Sequence, residues 1–111
     1  MSDIVTLINI FTPKEGDLQN FVDAQIAEYR RLDGKVDGAI WNRLHVNREN
    51  GTAVNVALFE SREKYDAWID SDLFEEHIAK IKPLLDDVSP ALYEVSYDAF
   101  GAKDEAFPAA N

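Results

Sequence analysis

Residues 52–81 read TAVNVALFESREKYDAWIDSDLFEEHIAKI, and this stretch decides the fold. Its first part alternates small or polar residues with branched aliphatic ones, which is typical of a strand, here ending at Glu60. Ser61 is a suitable N-cap for the helix that follows, and Ser71 is a second N-cap, where the helix breaks or kinks. The stretch therefore predicts a strand and then a helix with an interruption.

The residues upstream predict a further strand and a further helix. Residues 4–12 are rich in β-branched residues and stop at Pro13, as a strand does. Asp17 is a plausible N-cap and Gly34 a suitable C-terminal stop for the helix that follows. The apolar stripe of this helix comprises Leu18, Phe21, Val22, Ile26, Tyr29 and Leu32.

A hairpin is predicted between the second strand, at residues 38–48, and the third strand, at residues 52–60. Asn50 and Gly51 lie between the two strands. An Asn-Gly pair readily adopts the positive φ angles of a type I′ turn, so this turn type is expected here.

The C-terminal part completes the pattern. Pro83 and Pro90 are interpreted as bracketing an irregular loop, and residues 91–100 as the fourth strand. The order β-α-β-β-α-β predicts a ferredoxin-like α+β fold, in which a four-stranded antiparallel sheet carries two helices on one face. Residues 1–100 form one domain, and residues 101–111 form a tail that is either disordered or an arm lying on a neighbouring copy.

The two faces of this sheet differ in character. Ile8, Ile10 and Val54 belong to a face of branched aliphatic residues, whereas Asn9 and Asn55 lie on the other face. Two helices cover only one face, and asparagines buried between two sheets would lack partners. We therefore expect the asparagine face under the helices and the aliphatic face against a second copy, in a homodimer.

Composition excludes several classes of function. The chain has 111 residues and no cysteine, which excludes disulfides, thiolate nucleophiles and iron–sulfur clusters. Its net charge of −10 makes nucleic acid and anionic membranes unfavourable partners. The first residues resemble no signal peptide, so a cytoplasmic location is expected. The spacing of histidines and carboxylates predicts no metal site.

Two central-strand asparagines, Asn9 and Asn55, are the first candidates for chemistry, because asparagine is depleted in strands. Tyr65 and Trp68 in the following helix each present an apolar body with a polar tip. The alternative interpretation is structural, with amides bonded to loop backbone and aromatic rings in the core. Further candidates for contact with a substrate are Phe11, Phe59 and His77, although a lone histidine at the border of an apolar stripe is more often structural.

Four segments resemble the antibiotic biosynthesis monooxygenase (ABM) family, whose fold is the dimeric α+β barrel. They are LINIFT at 7–12, NVALFES at 55–61, SDLFEEH at 71–77 and SPALYEV at 89–95. The resemblance extends over residues 4–98. It implies oxygenation of an aromatic, often polycyclic, phenol by O2 without metal, flavin or haem.

The resemblance also implies roles for individual residues. Anthrone-oxidising members use an asparagine on the third strand, a tryptophan four residues later and a tyrosine six residues beyond that. Asn55 and Tyr65 match this pattern, whereas Phe59 stands in place of the tryptophan. No counterpart of the arginine used by those enzymes is found, and Lys80 is only a neighbour of the expected position.

A haem-degrading branch of the same fold supplies a second hypothesis. It uses an asparagine on the first strand, a tryptophan in the second helix and a histidine ligand ten residues later. Asn9 and Trp68 match, but His77 falls one residue short and Ile78 occupies the ligand position.

The leading hypothesis is therefore a cofactor-independent monooxygenase that oxidises an aromatic phenol or quinol. Asn55 would donate a hydrogen bond to the substrate oxygen, and Asn9 would orient the substrate or a peroxide. Tyr65 would either bind the substrate or shuttle a proton. Trp68 and Phe59 would stack on the rings of the substrate. Haem binding or degradation is one alternative. A non-catalytic dimer that binds a small ligand or is associated with stress is the other.

Overall fold

The computed structural model describes residues 3–100, and the predicted C-terminal tail at 101–111 lies outside this range. The strands and helices follow the predicted order. They are β1 (Val5–Pro13), α1 (Leu18–Leu32), β2 (Ala39–Asn47), β3 (Thr52–Phe59), α2 (Arg62–Ile69), α3 (Asp72–Ile81) and β4 (Leu85–Tyr93). A short 3-10 turn at Lys82–Leu84 connects α3 to β4.

The four strands form one antiparallel sheet in the order β2-β3-β1-β4. The first and third strands are therefore the central pair, as predicted, and the ferredoxin-like α+β fold is confirmed. Among residues 3–100, no helix is long and apolar enough to cross a membrane.

The predicted position of the fourth strand was wrong. β4 begins at Leu85 and ends at Tyr93, and the region interpreted as an irregular loop is most of the strand. Pro90 lies inside β4, opposite Asn9 of β1. Proline is tolerated there because β4 is an edge strand, so that only one of its sides must supply hydrogen-bond donors.

The predicted hairpin is confirmed, but its turn type was wrong. Residues 48–51 separate the paired ends Asn47 and Thr52. Gly51 has a positive φ of 73°, whereas a type I′ turn would need two successive positive φ angles and Asn50 has none. The Asn47 side chain instead accepts hydrogen bonds from the backbone N–H groups of Glu49 and Asn50. These local bonds stabilise a longer loop.

Serine caps divide the second helical region as predicted. The Oγ of Ser61 accepts from the backbone N–H of Lys64 at 3.1 Å, and the Oγ of Ser71 accepts from that of Phe74 at the same distance. Asp17 occupies the N-cap position of α1, but its side chain makes no capping bond to the backbone. The Ser71 hydroxyl also donates to the Trp68 carbonyl at 2.7 Å, so α2 ends at Ile69 and α3 begins as a separate helix at Asp72.

The buried face of α1 differs from the predicted stripe. Ile26 was assigned to the stripe, yet it is 38% exposed. Gln25 and Glu28 are buried instead, together with Phe21 and Leu32. These residues follow the 3.6-residue period from Phe21 to Leu32, so position on the helix, and not hydrophobicity, decided which side chains were buried.

The two sheet faces are assigned as predicted. Leu7, Phe11, Ala53, Asn55, Ala57 and Phe59 are buried beneath the helices. On the opposite face, Ile8, Val54 and Val56 are half-buried and Ile10 is exposed, whereas Leu58 near the end of β3 is buried. No helix among residues 3–100 covers this face, and the predicted second copy stays a prediction.

Candidate functional site

A cavity of about 460 Å³ lies between the sheet and the helices. Every strand and every helix contributes to its wall. All seven residues predicted from the sequence line this cavity, namely Asn9, Phe11, Asn55, Phe59, Tyr65, Trp68 and His77. The structure therefore brings them together, while their individual roles stay predictions.

Aromatic side chains form much of the apolar wall. The rings of Phe59 and Tyr65 meet edge to face, with centroids 5.3 Å apart. Trp68 and Phe74 make the same kind of contact at the same separation. Edge-to-face pairs of this kind hold aromatic rings in defined orientations. The wall is therefore suited to a flat, apolar ligand.

Two side-chain amides lie together at the floor of the cavity. Asn9 and Asn55 are directly opposite each other in the β1–β3 ladder. Asn55 is only 5% exposed, and the Oδ1 atom of Asn9 is buried without a hydrogen-bond partner among the described residues. Buried amide oxygens normally have partners, so this pair has hydrogen-bonding capacity left for a ligand.

A hydrogen-bond chain from α1 fixes the orientation of Asn55. Gln25 Nε2 donates to the Tyr29 hydroxyl at 3.0 Å, and this hydroxyl donates to Asn55 Oδ1 at 2.7 Å. Burial raises the pKa of Tyr29 well above its ordinary value, so the phenol keeps its proton. Because Oδ1 accepts this bond, Nδ2 is the free end of the amide. It makes no hydrogen bond within residues 3–100.

A buried carboxylate on the same helix anchors the cavity histidine. Glu28 is 4% exposed and accepts two bonds from Arg31, at 2.7 and 2.9 Å. His77 Nδ1 lies 3.1 Å from Glu28 Oε1, and Lys80 Nζ lies 3.5 Å from Glu28 Oε2. The carboxylate thus joins α1 to α3 and holds the imidazole against the cavity.

The ionisation of this cluster follows from its contacts. The hydrogen bonds from Arg31, opposed by burial, lower the pKa of Glu28 to about 2, so Glu28 is a carboxylate at neutral pH. Burial lowers the pKa of His77, although the bond to Glu28 opposes this effect. A carboxylate can only accept, so the neutral imidazole carries its proton on Nδ1 and leaves Nε2 unprotonated.

Tyr65 remains a neutral phenol, because burial raises its pKa. Trp68 lies 6.2 Å from His77, measured between ring centroids. These positions are consistent with contact to one ligand, but they assign no role to either side chain. His45, the other histidine, is exposed on β2 at the opposite face of the sheet.

The sequence interpretation missed three contributors, all on α1. Gln25 and Glu28 were not considered, and Tyr29 was treated as a core residue without a role for its hydroxyl. Their positions in the sequence could have revealed them, since Gln25, Glu28 and Tyr29 occupy the same face of the helix as Phe21 and Leu32. Within the described part of the chain, no group of three or more His, Cys, Asp or Glu side chains is placed to hold a metal ion.

Comparison with protein families identifies this architecture. The family model for antibiotic biosynthesis monooxygenases matches residues 4–80, which include β1 to α2, all but the last residue of α3, and the seven predicted cavity residues. The chain belongs to the antibiotic biosynthesis monooxygenase family. Comparison of this ABM chain with curated protein sequences gave no match.

Solved structures share the ABM fold at low sequence identity. One is SnoaB of Streptomyces nogalater, a cofactor-independent oxygenase solved as an asparagine-to-alanine variant. It is 17% identical to this chain with a TM-score of 0.76, and the match covers 87% of this chain and 97% of the SnoaB chain. A Bordetella bronchiseptica protein assigned to the antibiotic biosynthesis monooxygenases is 15% identical with a TM-score of 0.76, covering 86% and 100%. A Nitrosomonas europaea protein with the same assignment is 10% identical with a TM-score of 0.72, covering 87% and 94%. At these identities the likeness establishes the fold alone.

Proposed function

We propose that this ABM protein is a cofactor-independent monooxygenase that oxidises an aromatic phenol or quinol with O2. The observation that carries the proposal is the pair of facing amides, Asn9 and Asn55, at the floor of an apolar, aromatic-walled cavity. One amide has a free donor and the other a buried oxygen without a partner among residues 3–100. Family membership and the fold of SnoaB support the same conclusion.

The reaction needs a substrate that is itself the electron donor. For an anthrone-like compound, a methylene group becomes a carbonyl: one oxygen atom of O2 enters the product, and the other leaves as water with both methylene hydrogens. Loss of the substrate proton gives an anion that can pass an electron to O2. Donors already oriented in a dry cavity stabilise the charge on the substrate oxygen.

Each cavity residue has a defined part in this proposal. Asn55 Nδ2 donates to the substrate oxyanion, because the Tyr29 hydroxyl holds its other end. Asn9 contacts the second oxygen, from substrate or peroxide. Tyr65 contacts the substrate through its hydroxyl as a neutral donor. The aromatic rings of Trp68 and Phe59, with Phe11, enclose the substrate and exclude water.

Oxygen consumption tests the activity directly. Purified protein would be supplied with panels of anthrones and hydroquinones in an oxygen electrode, with products followed by mass spectrometry using isotopically labelled O2. Asn55→Asp keeps an acceptor for Tyr29 but loses the donor, and Asn55→Ala loses both. We expect each to lower kcat by about 100- to 1,000-fold.

Asn20→Ala is the matched control, because Asn20 is exposed on α1 and is not part of the cavity wall. This variant should keep the wild-type rate. Absence of oxygen uptake by the wild type across the panels would contradict the proposed activity. Saturable binding of an aromatic ligand without turnover would instead favour the non-catalytic alternative.

We also propose that the protein acts as a homodimer through the open face of the sheet. Ile8, Ile10 and Val56 form part of this aliphatic surface, which is not covered by any helix in the described part of the chain. The segment after β4 carries further exposed large side chains, among them Tyr97 at 85% exposure. A second copy is the economical partner, since two-fold homodimers are the commonest assemblies.

Haem binding is the second candidate, favoured by one observation. Asn9, Trp68 and His77 border the same cavity, and Ile78, which stands at the expected ligand position, has no ligating atom. His77 would therefore have to hold the iron through Nε2, with Glu28 orienting the ring. Hemin titration tests this: a saturable Soret shift that disappears in His77→Gln would support it, and no shift would exclude it.

A further inference from the structure

We propose that His77 is the base that takes the proton from the aromatic hydroxyl of the ligand, and that Glu28 positions it for this step, so that the cavity holds a phenol as its phenolate. The inference deepens the proposed function and rests on it for the class of ligand. It assigns His77 the transfer of a proton, in place of the contact role predicted from the sequence.

The geometry of the pair supports a base over a simple cross-link. Glu28 is already bound by Arg31 through two bonds, so it does not need His77 for neutralisation. His77 contacts this carboxylate through Nδ1, on one side of the ring. His77 is one of the residues that line the cavity, and its Nε2 atom makes no hydrogen bond among residues 3–100. An oriented imidazole with an open nitrogen beside a cavity is the usual arrangement of a general base.

Burial favours the neutral imidazole before the ligand binds. Glu28 and Arg31 face it from α1, and Lys80 and Glu76 belong to its own helix. Burial lowers the pKa of His77, Glu28 opposes this effect, and Arg31 and Lys80 act in the same direction as burial because they disfavour a further positive charge. Tyr65 on α2 cannot replace His77 as the base, since burial holds its hydroxyl in the protonated form.

Proton transfer would then create a balanced pair of charges. The O–H bond of the ligand breaks, and an N–H bond forms at Nε2 of His77. The resulting imidazolium is stabilised by Glu28 at Nδ1. The phenolate oxygen receives a hydrogen bond from Asn55 Nδ2. Because the proton stays inside the protein, the net charge of the cavity does not change when the neutral phenol binds.

A chromogenic phenol tests this inference without any turnover. 4-Nitrophenol is colourless as the phenol and yellow as the phenolate, so absorbance reports its ionisation when bound. At a pH near 6, we expect the wild-type protein to bind it largely as phenolate. His77→Gln should lower the ratio of bound phenolate to bound phenol by at least about tenfold, equivalent to one pKa unit. Glu28→Gln should lower it by a smaller factor, because the imidazolium loses its partner.

His45→Gln is the matched control, as it makes the same change at an exposed histidine on the other face of the sheet. It should keep the wild-type spectrum of the bound probe. Circular dichroism would establish that each variant is folded. A yellow bound probe in folded His77→Gln, a colourless bound probe in the wild type, or no saturable binding would each overturn the inference.

Calorimetry on the wild type gives an independent test that needs no variant. Binding of the phenol is measured in buffers of different ionisation enthalpy. We expect no net release of protons to the buffer, because the phenolic proton remains on His77. Release of the whole proton would overturn the inference. If oxygen uptake fails while the phenolate signal depends on His77, the proposed oxygenase activity is wrong and this inference stands.

Discussion

The two faces of the central strands use the same backbone for opposite purposes. In β1, Asn9 faces the helices and Ile10 faces away from them; in β3, Asn55 and Val54 do the same. On the helix face, side-chain amides and large aromatic rings border a cavity. On the central strands the open face is mainly aliphatic, whereas β2 contributes Arg43 and His45 to it. One face is therefore incompletely packed and leaves space for a ligand, whereas the other is suited to packing against another protein surface.

Substitution of neighbouring residues on opposite faces should therefore lower the free energy of unfolding by very different amounts. Phe11 is fully buried against Phe21, with ring centroids 4.8 Å apart, whereas Ile10 is 45% exposed. Phe11→Ala should lower the free energy of unfolding by about 3–5 kcal/mol, and Ile10→Ala by about 0.5 kcal/mol. Urea denaturation at one protein concentration measures both. Equal losses of unfolding free energy in the two variants would contradict the difference in burial between the two faces.

The two faces also differ in charge, because a buried carboxylate lies above the helix face and makes stability depend on pH. Glu28 has its pKa lowered from 4.5 to about 2, chiefly by Arg31, so the unfolded chain binds more protons between these values. This contribution is present above pH 4.5 and is lost as the pH falls toward 2, and we expect a loss on the order of 3 kcal/mol at most. The lowered pKa of His77 acts in the same sense, since the unfolded chain takes up its proton first as the pH falls below 6.5.

Urea denaturation as a function of pH checks this prediction. Stability of the wild type should fall as the pH is lowered from about 7 toward about 3, and Glu28→Gln should flatten the acidic part of the profile. Arg31→Gln should flatten it as well, because Arg31 is the main cause of the lowered pKa. An unchanged slope in Glu28→Gln would show that another group controls acid stability.

The open face can be tested through the assembly it is proposed to form. Ile10→Asp places a charge in the middle of the aliphatic surface, and we expect the dissociation constant of the dimer to rise at least about 100-fold, or about 3 kcal/mol. Sedimentation velocity measures this constant. Ile26→Asp is the matched control, since Ile26 is also exposed but lies on α1. A monomeric wild type, or equal effects of the two variants, would contradict the proposed interface.

The sequence was enough to assign the two faces of the sheet, but it did not reveal the buried polar residues of α1 that lie above one of them. Alternation in β1 and β3, with alanines and asparagines on one side only, was enough to assign the faces. Gln25 and Glu28 were missed because an apolar stripe was sought on α1, and Ile26 was accepted in their place. A polar side chain is buried only when distant partners such as Asn55 or His77 satisfy it, and a local pattern does not contain that information. The edge position of β4, which permits a proline within the strand, likewise depends on the completed sheet.

The smallest expected effect concerns the hydroxyl of Tyr29, which links the missed helix face to the predicted amide. Tyr29→Phe removes the donor to Asn55 Oδ1 and leaves the ring in place. The free energy of unfolding should fall by about 1 kcal/mol. The amide is then free to turn its donor away from the cavity. If Asn55 acts as proposed, kcat should therefore fall by about tenfold with little change in KM.

Tyr65→Phe is the matched comparison, because the hydroxyl of Tyr65 makes no hydrogen bond within the described part of the chain. It should leave stability unchanged, and any effect should arise only with substrate present. Denaturation and steady-state kinetics on both variants separate an orienting hydroxyl from one that contacts substrate. If Tyr29→Phe lost stability but kept the wild-type kcat, the hydrogen bond would hold α1 to the sheet without orienting Asn55, and the polar face of α1 would be structural.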